Sequence, residues 1–272
     1  MTTVDERTGW HHLAVDSWNE VDALRFEELP ATRATVSDLD IEAVSRMMKR
    51  APTAWNLRSF ALTTLEDGVL VPTNAGIVVA CPTPYTFIPS AHVRCACFRG
   101  ELRSEIVDCA EIDTVLPTAP DLVRSFVQRN LPPAPEGTAP FPVQVIRELV
   151  VNAIVHADYS GQSTPIRVAM FGNRIEIENP GCLLPGVTAA SMRTGVSRLH
   201  NPHIARIFRE MSLMNDWGTG FGHVIGELQA CGLPEPRVEE LPGVVRVTVF
   251  LVPEPAPVRP LVYGPEDDGS PW

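Results

Sequence analysis

Residues 147–156 (RELVVNAIVH) constrain this chain most, because they place three polar, metal-competent side chains on one stripe of an otherwise apolar helix. At about 100° per residue, Glu148, Asn152 and His156 share a face, while Ile146, Leu149, Val150, Ala153 and Ile154 occupy the opposite one. Such a helix buries one side and offers the other to a ligand. A carboxylate four residues before a carboxamide suits Mg²⁺-nucleotide chemistry: the amide oxygen is a hard, neutral ligand, and the carboxylate can orient or deprotonate a water. The plainer alternative is a solvated polar stripe on a packed helix.

The residues that follow narrow the choice. Residues 165–171 (PIRVAMF) and 174–178 (RIEIE) read as two strands joined by Gly172-Asn173, a tight-hairpin turn. The second strand ends in Asn179-Pro180-Gly181. Further on, residues 217–222 (WGTGFG) precede a periodic apolar segment containing Val224, Ile225 and Leu228. Glycines there permit close backbone approach, and the free amides at a helix start attract phosphate. No strand leads directly into these glycines, so they do not form a Rossmann fingerprint. Lys49 is the only lysine, which excludes both a Walker-type loop and a Schiff-base lysine in this region.

At 272 residues with 44% hydrophobic content, the chain has room for one large or two small domains with a real core. No apolar stretch is long enough to span a bilayer and the N-terminus shows no signal-peptide pattern, so a cytoplasmic protein is expected. The six cysteines form no C-x-x-C pair and no zinc-like cluster. Free thiols in a reducing compartment are expected, with Cys95 and Cys97 on the core face of a strand. A net charge of −11 without any basic run argues against DNA binding by this chain alone.

The first half reads as an N-terminal extension and helix start (1–45) followed by a strand-rich α+β domain (46–130). A helix is expected over residues 38–49, with acidic start and basic end, and another over 121–130. Between them, strands are expected at ALTTL, VLVP, GIVVAC, HVRCACF and EIVDCAEI. Proline-rich residues 131–141 suggest a linker and domain boundary before an ATP-binding domain over 142–252. The acidic, proline-rich tail, 253–272, is expected to be disordered.

Four segments in order, RELVVNAIVHADYS (147–160), IEIENPG (175–181), HNPHIAR (200–206) and NDWGTGFG (215–222), resemble the C-terminal ATP-binding domain of the RecG-like, divergent-AAA family, relatives of the GHKL (histidine-kinase-like) ATPases. A weaker resemblance covers residues 24–40 and 70–79. The resemblance implies an α+β fold: a two-layer sandwich, helices on one face of a mixed sheet, with a lid over residues 182–216. It implies ATP and Mg²⁺ as cofactors, Glu148 as the water-orienting base and Asn152 as the Mg²⁺ ligand. Asn179 and Gly181 become adenine-side contacts, and Gly218, Thr219, Gly220 and Gly222 the phosphate loop. His156 matches a family histidine. Where the family carries arginines, this chain has Ala157 and His200; Arg198, Arg193 or Arg206 could substitute.

The family's usual Alba-type, Schlafen-like DNA-binding domain is expected to be absent, since the residues before 24 are too few to hold it, and no DNA-regulator or helicase role is expected on that basis. The expected function is Mg²⁺-ATP binding with slow hydrolysis used as a switch, read by a protein partner or a second copy. The alternatives are a kinase transferring the γ-phosphoryl to a partner protein and a non-catalytic nucleotide-binding scaffold.

Overall fold

The computed structural model describes residues 25–49, 54–134, 136, 139–161, 164–192, 198–214 and 219–252. Helices α1 (Ile41–Met48) and α2 (Ala54–Ser59) come first, and a hairpin of β1 (Thr63–Glu66) and β2 (Val69–Pro72) follows. Asp67 and Gly68 both adopt positive φ at its tip, matching the hairpin turn to the strands' twist. The Asp40 side chain caps α1 by accepting from the Ala43 amide at 2.8 Å.

One expected strand is a helix. Residues 76–81 (GIVVAC) read as extended, but α3 spans Asn74–Ala80. Thr73 caps it, its hydroxyl accepting from the Gly76 amide at 3.0 Å. Ala75 to Ala80 are buried on every side, so the run carries no helical periodicity to betray it. Gly76 is required because a Cβ there would collide with the Leu62 carbonyl oxygen.

The main sheet comprises β3 (Val93–Phe98), β4 (Ile106–Ile112), β5 (Ile166–Met170), β6 (Arg174–Pro180), β7 (Arg237–Leu241) and β8 (Val244–Phe250). Its order is β4-β3-β5-β6-β8-β7. β3 runs parallel to β5, with Val93 opposite Ile166 and Cys97 opposite Met170, and every other pairing is antiparallel. The protein is thus α+β with a mixed sheet. The proline-rich stretch before residue 142 joins two parts of one sheet, since β3 and β4 precede it and the other four strands follow.

Helices α4 (Ala119–Asn130) and α5 (Gln144–His156) pack side by side on one face of the sheet, and α8 (Gly220–Ala230) packs on α5. Between them run α6 (Ala189–Met192) and α7 (Pro202–Glu210). One continuous core joins α5 to the inward residues of the sheet, such as Ile175, Ile177, Val247 and Val249, and extends to α3 and α7. All six cysteines are free thiols, and Cys95 and Cys97 lie in this core.

The opposite sheet face is polar but closed. Glu176 and Glu178 are buried there beneath arginines: Arg103 donates to both at 2.7 and 2.9 Å, Arg174 to Glu176 at 2.8 Å, and Arg246 to Glu178 at 2.7 Å. Burial opposes the charge on Glu176, but the hydrogen bonds from Arg103 and Arg174 prevail and hold its carboxyl below the usual range.

Among the described residues no helix is long and apolar enough to cross a membrane. Gly218 and Arg193 lie outside the described residues, as do the N-terminal extension before residue 25 and the tail from residue 253.

Candidate functional site

The apolar face of α5 packs inward as its spacing predicts: Ile146, Leu149, Val150, Ala153 and Ile154 are all buried. Its other stripe meets a cavity of about 160 Å³. Ile177, Val245 and Val247 of β6 and β8 form part of its wall, and Leu183, Leu184, Met192 and Met214 contribute from the segment between β6 and α8. Glu148, Asn152, His156, Asn179, Arg198, His200 and Gly220 supply the polar wall. Seven residues picked from the sequence therefore converge on one hollow.

Each has a definite environment. Glu148 Oε1 lies 2.9 Å from His223 Nδ1, while Oε2 is buried with no hydrogen-bond partner among the described residues. Burial pushes the Glu148 carboxyl above its ordinary value, against the opposing pull of His223. His156 is pushed down to about 4, chiefly by burial and then by neighbouring His200; its ring hydrogen-bonds the Arg198 backbone. Burial lowers His200 as well, against the pull of Asp158. Both histidines are thus neutral at physiological pH. Arg198 donates to the Pro185 carbonyl at 2.8 Å.

Asn179 is buried, and its amide reaches the His156 carbonyl at the last turn of α5, 3.5 Å away. Gly181, Thr219 and Gly222 do not line the cavity. Gly181, with φ +110°, lets the end of β6 approach the chain after α5: a Cβ there would lie 2.9 Å from the Asp158 Cβ. Gly220 and Gly222 lie within the first turn of α8 rather than in a loop before it, and Thr219 occupies the N-cap position.

The segment expected to be a loosely held lid is only partly so. Asn201 is buried and its amide donates to the Val155 and Ala157 carbonyls at 3.0 and 2.7 Å, tying α7 to the end of α5. Glu27 is also buried. Its carboxylate accepts the His203 amide at 3.0 Å and the Ile204 amide at 3.1 Å, capping α7 from the N-terminal part of the chain. Arg206 does not turn inward; it donates to the Ser59 carbonyl at 3.1 Å and stacks on Phe60. The roles of Glu27, Asn201 and His223 escape sequence reading. Only Asn201 carried a signal, as a cap residue followed by proline at the first helical position.

Residues 163–249 match the family model described as "Putative ATP-dependent DNA helicase recG C-terminal". This stretch, from just before β5 to the end of β8, is similar to a RecG C-terminal-like ATPase domain. It includes Asn179, Arg198, His200 and Gly220 but begins after α5, so Glu148, Asn152 and His156 join it through the shared cavity. The fold is similar to that of the DIP2311 protein from Corynebacterium diphtheriae, with a TM-score of 0.64 and 16% identity over 83% of this chain. The chain spans about 40% of that protein's length. No curated protein matches it.

Proposed function

We propose that the cavity binds Mg²⁺-ATP and hydrolyses it slowly, with nucleotide state serving as a switch. The observation that carries this reading is the Glu148/Asn152 pair: a buried carboxylate oxygen without a partner among the described residues and a carboxamide one turn on, from two residues that wall a hollow against the ATPase-like strands. The hard amide oxygen of Asn152 fits Mg²⁺, which typically takes one or two protein oxygens and completes its shell with phosphate and water, and this leaves the Glu148 oxygen for water. Among the described residues no group of three or more His, Cys, Asp or Glu gathers as a closed metal site, which agrees with an ion shared with a ligand.

Asn152 would hold the metal side of the nucleotide, where bound Mg²⁺ would neutralise phosphate charge. The sheet wall takes the base, beside Asn179. The first amides of α8, around Gly220, face the phosphates. Glu148 Oε2 aligns the attacking water. Because Asn201 and Glu27 fix α7, movement on binding belongs to residues 182–192 ahead of it.

Calorimetry with ATP and Mg²⁺, followed by a phosphate-release assay, tests the reading. Asn152→Ala abolishes Mg²⁺-dependent binding while keeping the fold. Glu148→Gln keeps binding and lowers hydrolysis roughly a hundredfold or more. Equal affinity of wild type and Asn152→Ala refutes the site. Binding without turnover is the second reading, favoured by the charge inventory: on the described wall the cationic side chain is Arg198, and it is engaged with Pro185. Wild type that binds Mg²⁺-ATP and releases no phosphate establishes it.

A further inference from the structure

Helix α8 sends back to α5 a side chain that the sequence motifs leave without a task. His223, on the first turn of α8, places Nδ1 2.9 Å from Glu148 Oε1 and Nε2 3.6 Å from Glu227 Oε1 on the following turn. The other oxygen of Glu148, Oε2, is buried and unpartnered among the described residues. A Cβ on Gly220 would lie 4.0 Å from it, so the start of α8 runs close beside that oxygen.

The Glu148 side chain is 31% exposed and lines the cavity, while Oε2 itself is covered, so a water meets that oxygen only as ligand binding opens the wall around it. A glutamate has three rotatable bonds, and one hydrogen bond to a helix-borne ring fixes the plane of its carboxylate. We propose that His223 is a positioning residue: by holding Oε1 it keeps Oε2, which no described residue engages, for the water of the hydrolytic step. The proposal rests on the reading of Glu148 as the water-orienting group. Its logic is that of a base oriented by a third group, in which geometry is fixed before the reaction begins. A surface ion pair of no consequence would have left both carboxylate oxygens to solvent.

The test uses His223→Ala and His223→Asn in the full chain, with kcat and KM from phosphate release and Kd for Mg²⁺-ATP from calorimetry. His223→Ala lowers kcat roughly ten- to hundredfold, the scale for lost orienting partners, while KM and Kd stay within about twofold. His223→Asn, whose side-chain amide nitrogen occupies the Nδ1 position, recovers most of the rate. A readout without nucleotide accompanies these: long-range ¹H–¹⁵N spectra of the ligand-free protein find Nδ1 of His223 protonated in wild type and not preferentially so in Glu148→Ala. Unchanged kcat in His223→Ala overturns the proposal alone. So does a matched loss of affinity and rate, which would make His223 a ligand contact or a structural residue, and so does a wild-type Nδ1 that carries no proton. A wild type that binds Mg²⁺-ATP without turnover removes the hydrolytic reading and this role with it.

Discussion

Lowering the pH from 7 to 5 should destabilise the protein through His156 by an amount set by its burial. In the folded chain its imidazole protonates only near pH 4, against 6.5 for the ordinary group. As pH falls through 6.5 the unfolded chain takes up a proton that the folded chain refuses, so stability is lost from there down to about pH 4. With that separation the loss is roughly 2 kcal/mol at pH 5 and approaches roughly 3 kcal/mol below pH 4. His200 is shifted the same way and adds to the effect. Urea denaturation of wild type and His156→Gln at pH 7, 6 and 5 isolates the contribution, because carboxylates common to both chains cancel in the difference. Wild type should lose about 2 kcal/mol more than the variant between pH 7 and 5. Equal losses would show that the end of α5 is open to water and that its histidine is not the buried neutral group described above.

Three other outcomes follow from contacts already described. Asn201→Ala leaves the Val155 and Ala157 carbonyls without their donor and should cost about 1–3 kcal/mol in urea denaturation, without changing the helix content seen by circular dichroism. Gly76→Ala forces a Cβ into the Leu62 carbonyl and should cost about 3 kcal/mol or more, visible as a lowered Tm; a neutral result would mean α3 does not lie against that backbone. Duplex DNA should show no affinity at physiological salt in the range of about 10⁻⁴ to 10⁻⁶ M reached by basic binders, and micromolar binding that weakens with salt would reveal an arginine surface free to act.

The parts of this protein legible in sequence are those where a local period or turn decides the structure. The α5 stripe, the β5–β6 hairpin with its Gly172-Asn173 turn, and the β3 and β4 strands are of that kind. The α3 segment was illegible because a helix buried on all sides loses the polar face that marks one. The parallel pairing of β3 with β5 was hidden for another reason: nothing in either strand names a partner some seventy residues away. In the site, side chains projecting from α5 could be found by spacing. Glu27, Asn201 and His223 could not, since each acts on an element distant in sequence.

The β3–β5 pairing also governs how the chain can be cut. A fragment beginning at residue 142 would retain β5, β6, β8 and β7 but lose the strand that hydrogen-bonds to the outer side of β5. It would also lose α4, which shields part of α5, and Glu27, which caps α7. An open parallel edge rich in valine, isoleucine and methionine is a template for intermolecular pairing. Ribosomal synthesis delivers the strands in the opposite sense: β3 and β4 emerge first as a local hairpin and wait for β5, so the slow, non-local step is the crossover that brings β5 alongside them. Expression trials that trim this chain to its ATPase-like stretch would therefore yield aggregation-prone material, and inactivity of such a fragment would say nothing about the cavity.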